Sequence, residues 1–136
     1  MASNAALKKV FFIDDDKATN AYHKGLAQNF NLAEEVSIFD NAEDALKLLA
    51  AVKSKQDFPD LIFLDIIMPK VDGHEFVKQI RELETFDENR TRVVLLTSSK
   101  AIDDVVTADE NDVSYYYWKP LDEALLKKIL KEGFGI

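Results

Sequence analysis

Cysteine is absent from this chain of 136 residues. Disulfides, cysteine-ligated zinc, iron–sulfur clusters and thiol catalysis are therefore excluded together. Positive charge is scarce: 17 Lys and Arg stand against 25 Asp and Glu, a formal net charge of −8. A nucleic-acid binder needs a cationic surface to displace counterions from phosphates, so that class is disfavoured. Long apolar runs are missing as well. Stretches such as Leu61-Ile62-Phe63-Leu64 fall far short of the roughly 20 residues that cross a bilayer. The opening Met1-Ala2-Ser3-Asn4-Ala5-Ala6 has neither a basic start nor a long apolar stretch, so it is not a signal peptide. It reads as a frayed leader, and the chain is expected in the cytoplasm by default. Glycine is sparse, and no Gly-rich phosphate loop follows the first apolar run, which disfavours nucleotide- and flavin-binding folds. What is present is a 47% hydrophobic, 10% aromatic composition on about one domain's length, enough for a packed core.

Three short apolar runs read as buried strands: Val10-Phe11-Phe12-Ile13, Leu61-Ile62-Phe63-Leu64 and Val93-Val94-Leu95-Leu96. Each is continuous rather than alternating, as strands covered on both faces are. Val36-Ser37-Ile38-Phe39 and Tyr115-Tyr116-Tyr117-Trp118 are weaker candidates. Helical stripes lie between and after them: Ala18, Ala21, Tyr22, Gly25, Leu26; Ala42, Ala45, Leu46, Leu49, Val52; Phe76, Val77, Ile80, Leu83. A shorter helix is marked by Ile102, Val105 and Val106, and a last one by Leu121, Leu125, Ile129, widened by Leu126 and Leu130. Strand and helix alternate five times. That order implies a parallel sheet with helices on both faces, joined by right-handed crossovers. The domain is expected over residues 8–132, between a leader at 1–7 and a tail at 133–136.

Parallel α/β sheets gather function at the carboxyl ends of their strands. Here the first strand ends in Asp14-Asp15-Asp16, the third in Asp65, the fourth in Thr97-Ser98-Ser99 and the fifth in Lys119-Pro120. Any one of these polar residues is explained by the start of a loop; the set is not. Crowded carboxylates repel and resist ionising unless a cation holds them. Oxygen ligands without His or Cys point to a hard ion, Mg²⁺ being the usual one. A lysine opposite such a cluster suggests a further anion, most simply a phosphoryl group.

In this order the chain carries Asp14-Asp15, then Leu64-Asp65-Ile66-Ile67-Met68-Pro69 with Asp72-Gly73, then Leu96-Thr97-Ser98, then Tyr116-x-x-Lys119-Pro120. From about Lys8 to Leu130 it resembles the receiver domain of two-component response regulators, of the stand-alone chemotaxis type. Each element alone is weak; together, each at the end of its own strand, they are highly specific. The resemblance implies a flavodoxin-like (βα)5 fold, a doubly wound three-layer sandwich around a five-stranded parallel sheet of order 2-1-3-4-5.

It also implies a reaction. Asp65 would be the nucleophile that takes a phosphoryl group as an aspartyl phosphate, donated by a sensor histidine kinase or a His phosphotransfer protein. Asp15 and Asp65 would ligate Mg²⁺ with the backbone carbonyl of Ile67, and Asp14 would act mainly through a metal-bound water. Lys119, the Thr97 hydroxyl and the Ser98 N–H would take phosphoryl oxygens. Thr97 and Tyr116 would form the switch, read by a target protein on the face made by the short helix marked by Ile102, Val105 and Val106, the fifth strand and the last helix. Ile67 and Ser99 would border the approach of the hydrolytic water. The expected function is a phosphorylation switch that signals by docking, not an enzyme acting on another substrate. A constitutive interaction module with vestigial phosphorylation is the alternative. A metal-dependent phosphatase lacks any visible separate general acid or substrate pocket.

Some residues depart from the pattern. Asp15 and Asp65 are a few positions further apart than the family usually shows, which lengthens the loops expected around Asn29-Phe30-Asn31 and Ser54-Lys55-Gln56. Asn111-Asp112-Val113 stands where a Gly-Ala pair is common, and Leu121 replaces a common Phe. Other signals have plainer explanations. Asp14-x-Asp16-x-Ala18 lacks the Thr of haloacid-dehalogenase-type phosphatases. No Gly or terminal Glu follows at EF-hand spacing. His23 and His74 are isolated and suit packing or surface roles.

Overall fold

The central strands form where the apolar runs are continuous. In the computed structural model they are β1 (Leu7–Ile13), β3 (Leu61–Asp65) and β4 (Arg92–Thr97), flanked by β2 (Ala33–Phe39) and β5 (Tyr115–Trp118). The structure describes residues 5–65, 73–97, 115–118 and 120–136, with only the backbone of Thr97, Tyr115, Tyr116 and Trp118. Ile67, Ser98, Ser99, Asn111-Asp112-Val113, Lys119 and the helix expected around Ile102, Val105 and Val106 lie outside the described residues. The helices within them are α1 (Lys17–Phe30), α2 (Ala42–Ala50), α3 (Gly73–Arg81) and the last, α4 (Glu123–Phe134).

All strand pairs are parallel, in the order β2-β1-β3-β4-β5 expected from the resemblance. Because side chains alternate along a strand, the sheet feeds two cores. Phe11, Ile13, Ile62, Leu64, Val93 and Leu95 face α2 and α3, meeting Ala45, Leu49, Phe76 and Ile80. Val10, Phe12, Leu61, Phe63, Val94 and Leu96 face the opposite way, meeting Ala27 of α1 and Leu126, Ile129 and Leu130 of α4. Central strand residues with both faces covered explain why these runs carry no polar alternation.

The helix stripes of α2 and α3 are as the periodicity predicts: Ala42, Ala45 and Leu49, then Phe76, Val77 and Ile80, are buried. In α1 the expected stripe holds only at its end, where Leu26 is partly buried against the core. The buried residues are Asn20, His23 and Ala27, while Ala18, Ala21 and Tyr22 face solvent. The reason is tertiary. Asn20 finds backbone partners beneath the helix, and the His23 ring stacks on Phe12 at 5.1 Å, itself stacked on Phe63 at 4.9 Å. Two polar side chains thus take core positions that a hydrophobic stripe would assign to alanines. His23 has the packing role expected of it.

The ends differ from the expected boundaries. Leu7, placed in the leader, opens β1, and its N–H donates to Leu32 O at 2.9 Å. Gly133 and Phe134, placed in the tail, complete α4, which closes on Gly135 at φ 69°. Asn29 and Phe30 are the last turn of α1 rather than loop, and Asn31 caps it in the left-handed region at φ 54°. Asn tolerates that conformation better than other non-glycine residues. Ser54 begins a short turn at Lys55–Asp57, closed by its hydroxyl on Asp57 at 2.9 Å. Among the described residues no helix is long and apolar enough to cross a membrane.

Candidate functional site

Register brings the polar strand ends to one edge. Ile13 pairs with Leu64 and with Phe39, so the residue after β1, Asp14, stands level with Asp65. Asp65 pairs with Leu96, which places Thr97 one step further along the same edge, opposite Trp118 at the end of β5. A one-residue slip would turn each buried run to the wrong face, so the two cores enforce this alignment.

Three of the expected ligands meet there. Carboxylate oxygens of Asp14, Asp15 and Asp65 lie within 4.8 Å of one another. Their surroundings are graded: Asp14 is buried at 2% exposure, Asp65 is partly buried and Asp15 is exposed. At such separations two full charges repel by roughly 1 kcal/mol in water and about 3 kcal/mol at an effective dielectric of 20. The donor set is oxygen only and the cluster opens toward solvent through Asp15. It fits a hard divalent cation better than a zinc or a redox metal.

The turn that carries two of these carboxylates is tightly held. Asp14 N donates to Phe39 O at 3.1 Å, which ties the turn to the end of β2. Asp16 N donates to Asp14 Oδ1 at 3.0 Å and so orients the buried carboxylate. Asp16 itself is the N-cap of α1: it accepts from Ala18 N at 3.3 Å and from the Thr19 hydroxyl at 2.6 Å. The third aspartate of the run is thus a capping group, where a carboxylate satisfies free N–H groups and meets the positive helix end.

Asn20 was not singled out by its sequence. Its Nδ2 donates to Asp14 O at 2.7 Å and to Phe39 O at 3.2 Å, and the residue is 6% exposed. Asn20 lies off the apolar stripe read from the sequence, which therefore gives no sign of its role. Tyr22 is a second such contact: its hydroxyl donates to Leu121 O at 2.6 Å and ties α1 to the loop after β5. Pro120 and Leu121 line, with Tyr22 and His23, a cleft of about 430 Å³.

Of the remaining expected residues, Thr97 ends β4 and Tyr116 lies within β5 opposite Leu95, with their side chains outside what the structure describes. Ile67, Ser98 and Lys119 also lie outside the described residues.

Comparisons with known proteins agree on one family. The chain is 29% identical over 134 residues to the response regulator Rcp1 of Synechocystis sp., covering 95% of this chain and 86% of that protein. It is 39% identical over 77 residues to the probable methanogenesis regulatory protein FilR2 of Methanothrix harundinacea, covering 57% of this chain and 48% of that one. The chain spans about half the length of several of the curated relatives it matches. Among solved structures, a response regulator receiver protein of Dyadobacter fermentans superposes with a TM-score of 0.81 at 27% identity, over 93% of this chain and 98% of that one. The response regulator receiver domain model matches residues 10–131. With the 2-1-3-4-5 sheet and the aspartate cluster at its carboxyl edge, this chain belongs to the response regulator receiver domain family.

Proposed function

We propose that the chain is a phosphorylation switch in which Asp65 accepts a phosphoryl group and the phosphorylated form docks on a target protein. The observation that carries this reading is the meeting of Asp14, Asp15 and Asp65 within 4.8 Å, with Asp65 at the end of a central strand. The donor is a sensor histidine kinase or a His phosphotransfer protein. An Asp65 carboxylate oxygen forms the new O–P bond while the P–N bond to the donor imidazole breaks. The imidazole keeps that electron pair and takes up a proton.

Asp14, Asp15, Asp65 and the Ile67 carbonyl would hold Mg²⁺, Asp14 mainly through water. Bound there, the ion offsets repulsion between carboxylate and phosphoryl oxygens and stabilises charge in the transition state. Lys119 pairs with a phosphoryl oxygen, and the Thr97 hydroxyl and Ser98 N–H take others. Thr97 and Tyr116 pass the change to the face formed by the helix around Ile102–Val106, β5 and the last helix. The chain turns over no separate substrate in this reading; it phosphorylates itself from the donor and loses the group slowly. The reading places it in the cytoplasm, with its donors.

Incubation with Mg²⁺ and a small acyl phosphate, read by intact mass, tests this. One phosphoryl group should add to the wild-type chain and none to Asp65→Asn. No gain in the wild type, or an equal gain in the variant, would sink the proposal.

A further inference from the structure

We infer that Asn20 is a positioning residue for the metal ligands, its buried carboxamide holding the Asp14–Asp15 peptide against the end of β2. The inference rests on the reading of the aspartate cluster as a Mg²⁺ site.

Asn20 is a poor choice on stability grounds alone. Asn is a weak helix former in a helix interior, and a buried amide is costly unless its polar atoms are bonded. Asn20 is 6% exposed, yet among the described residues its Oδ1 has no hydrogen-bond partner. Only half of the amide's capacity is used. An apolar residue of similar size would bury the same surface without an unbonded Oδ1, and would give up only the two bonds made by Nδ2.

What the amide does with its other half is specific. Both Nδ2 hydrogens go to main-chain carbonyls, Asp14 O at 2.7 Å and Phe39 O at 3.2 Å. The Asp14 carbonyl and the Asp15 N–H belong to one planar peptide unit. Fixing that oxygen therefore holds the plane shared by the two Cα atoms that carry these carboxylates. Phe39 O also accepts from Asp14 N at 3.1 Å, so Asn20, Asp14 and Phe39 close a three-residue ring. Asn20 N donates to Asp16 O at 3.0 Å, bracketing the 14–16 turn from its far side. One helical residue thus grips the ligand-bearing turn by both backbone and side chain.

Groups that orient metal ligands typically change affinity by about 10–100-fold when removed. Asn20→Ala and Asn20→Leu should each weaken Mg²⁺ binding by about tenfold, at the lower end of that range. Mg²⁺ is titrated into the full chain, unphosphorylated and below its melting temperature, and followed by amide NMR shifts. Asn20→Leu leaves the Asp14 carbonyl without this donor, so its melting temperature without Mg²⁺ should fall about as far as that of Thr91→Val, while Mg²⁺ affinity falls in Asn20→Leu alone, which a merely structural role would not produce.

Thr91→Val is the control. Thr91 is 1% exposed and its hydroxyl donates to Pro59 O at 2.8 Å, at the opposite edge of the sheet. That variant also loses a buried side-chain-to-backbone bond and should leave Mg²⁺ affinity unchanged. If Asn20→Ala does not fold, Asn20→Leu decides. Unchanged affinity in a folded Asn20 variant overturns the inference, as does an equal loss in Thr91→Val. Failure of the wild type to bind Mg²⁺ overturns the metal reading itself, and this inference with it.

Discussion

Replacing Asp15 by Asn should make the metal-free protein more stable and deaf to Mg²⁺. The change is isosteric and Asp15 is exposed, so no cavity forms and packing is untouched. What disappears is one charge from a cluster whose carboxylate oxygens lie within 4.8 Å. Each of its two neighbours repels it by roughly 0.9 kcal/mol at the dielectric of water, before salt screening. Exposure keeps the sum near the low end, about 1 kcal/mol. For a domain of this size that is a melting-temperature rise of about 3–5 °C. Mg²⁺ at ten times its dissociation constant stabilises the wild type by about 1.4 kcal/mol through mass action, a rise of similar size. The two proteins should therefore differ in chelator and converge as Mg²⁺ is added, the variant remaining flat. Thermal melts with and without Mg²⁺ read both quantities. Glu34→Gln, an exposed carboxylate on β2, makes the same change in the net charge of −8 away from the cluster and should leave both nearly unmoved. A variant that melts at or below the wild type in chelator refutes the repulsion argument. One that gains as much from Mg²⁺ as the wild type refutes Asp15 as a ligand.

Tyr116→Ala should accept a phosphoryl group normally but lose its phosphorylation-dependent partner, measured by pull-down of the phosphorylated form; retained binding would make the aromatic merely part of the core. The aspartyl phosphate should be long-lived if bulky, apolar Ile67 and Ser99, which carries no base, border the attacking water as the family resemblance implies. Ile67→Asn with Ser99→Glu should shorten its lifetime, general-base help being worth roughly 10²–10⁴-fold where it operates. Wild-type decay within seconds in Mg²⁺ buffer without a phosphatase, followed by intact mass, contradicts this, as does a double variant that decays no faster. Asn31→Val should cost about 1–2 kcal/mol in chemical denaturation, since a β-branched residue resists the φ of 54° there. Asn31→Gly should be close to neutral, and equal losses in the two would show that the cap conformation is not what matters.

The strands were legible because their requirements are local. A central parallel strand is covered on both faces, so it must be apolar without interruption, and Val10–Ile13, Leu61–Leu64 and Val93–Leu96 are. The stripes of α2 and α3 were legible for a related reason: each packs only apolar side chains on the sheet, so periodicity and burial coincide. The aspartates were legible because chemistry limits which residues can do their work, and strand ends are where such a sheet exposes them.

In α1 the same reasoning misplaced the buried face. Its buried residues are selected by what lies beneath: the Phe12 ring under His23, and the carbonyls of Asp14 and Phe39 under Asn20. Asp16 has no role among the ligands named from the sequence, and the helix start beside it makes it a cap. The Tyr22 hydroxyl found its acceptor 99 residues away. By itself the amino-acid order determined the alternation of strand and helix, the apolar runs and the inventory of acids at the strand ends, because each follows from a residue's own chemistry and near neighbours. Only the tertiary structure decided how closely Asp14, Asp15 and Asp65 meet, and which polar side chains hold the backbone beneath them. Those outcomes depend on distances between segments far apart in the chain, and such distances exist only once the sheet has formed.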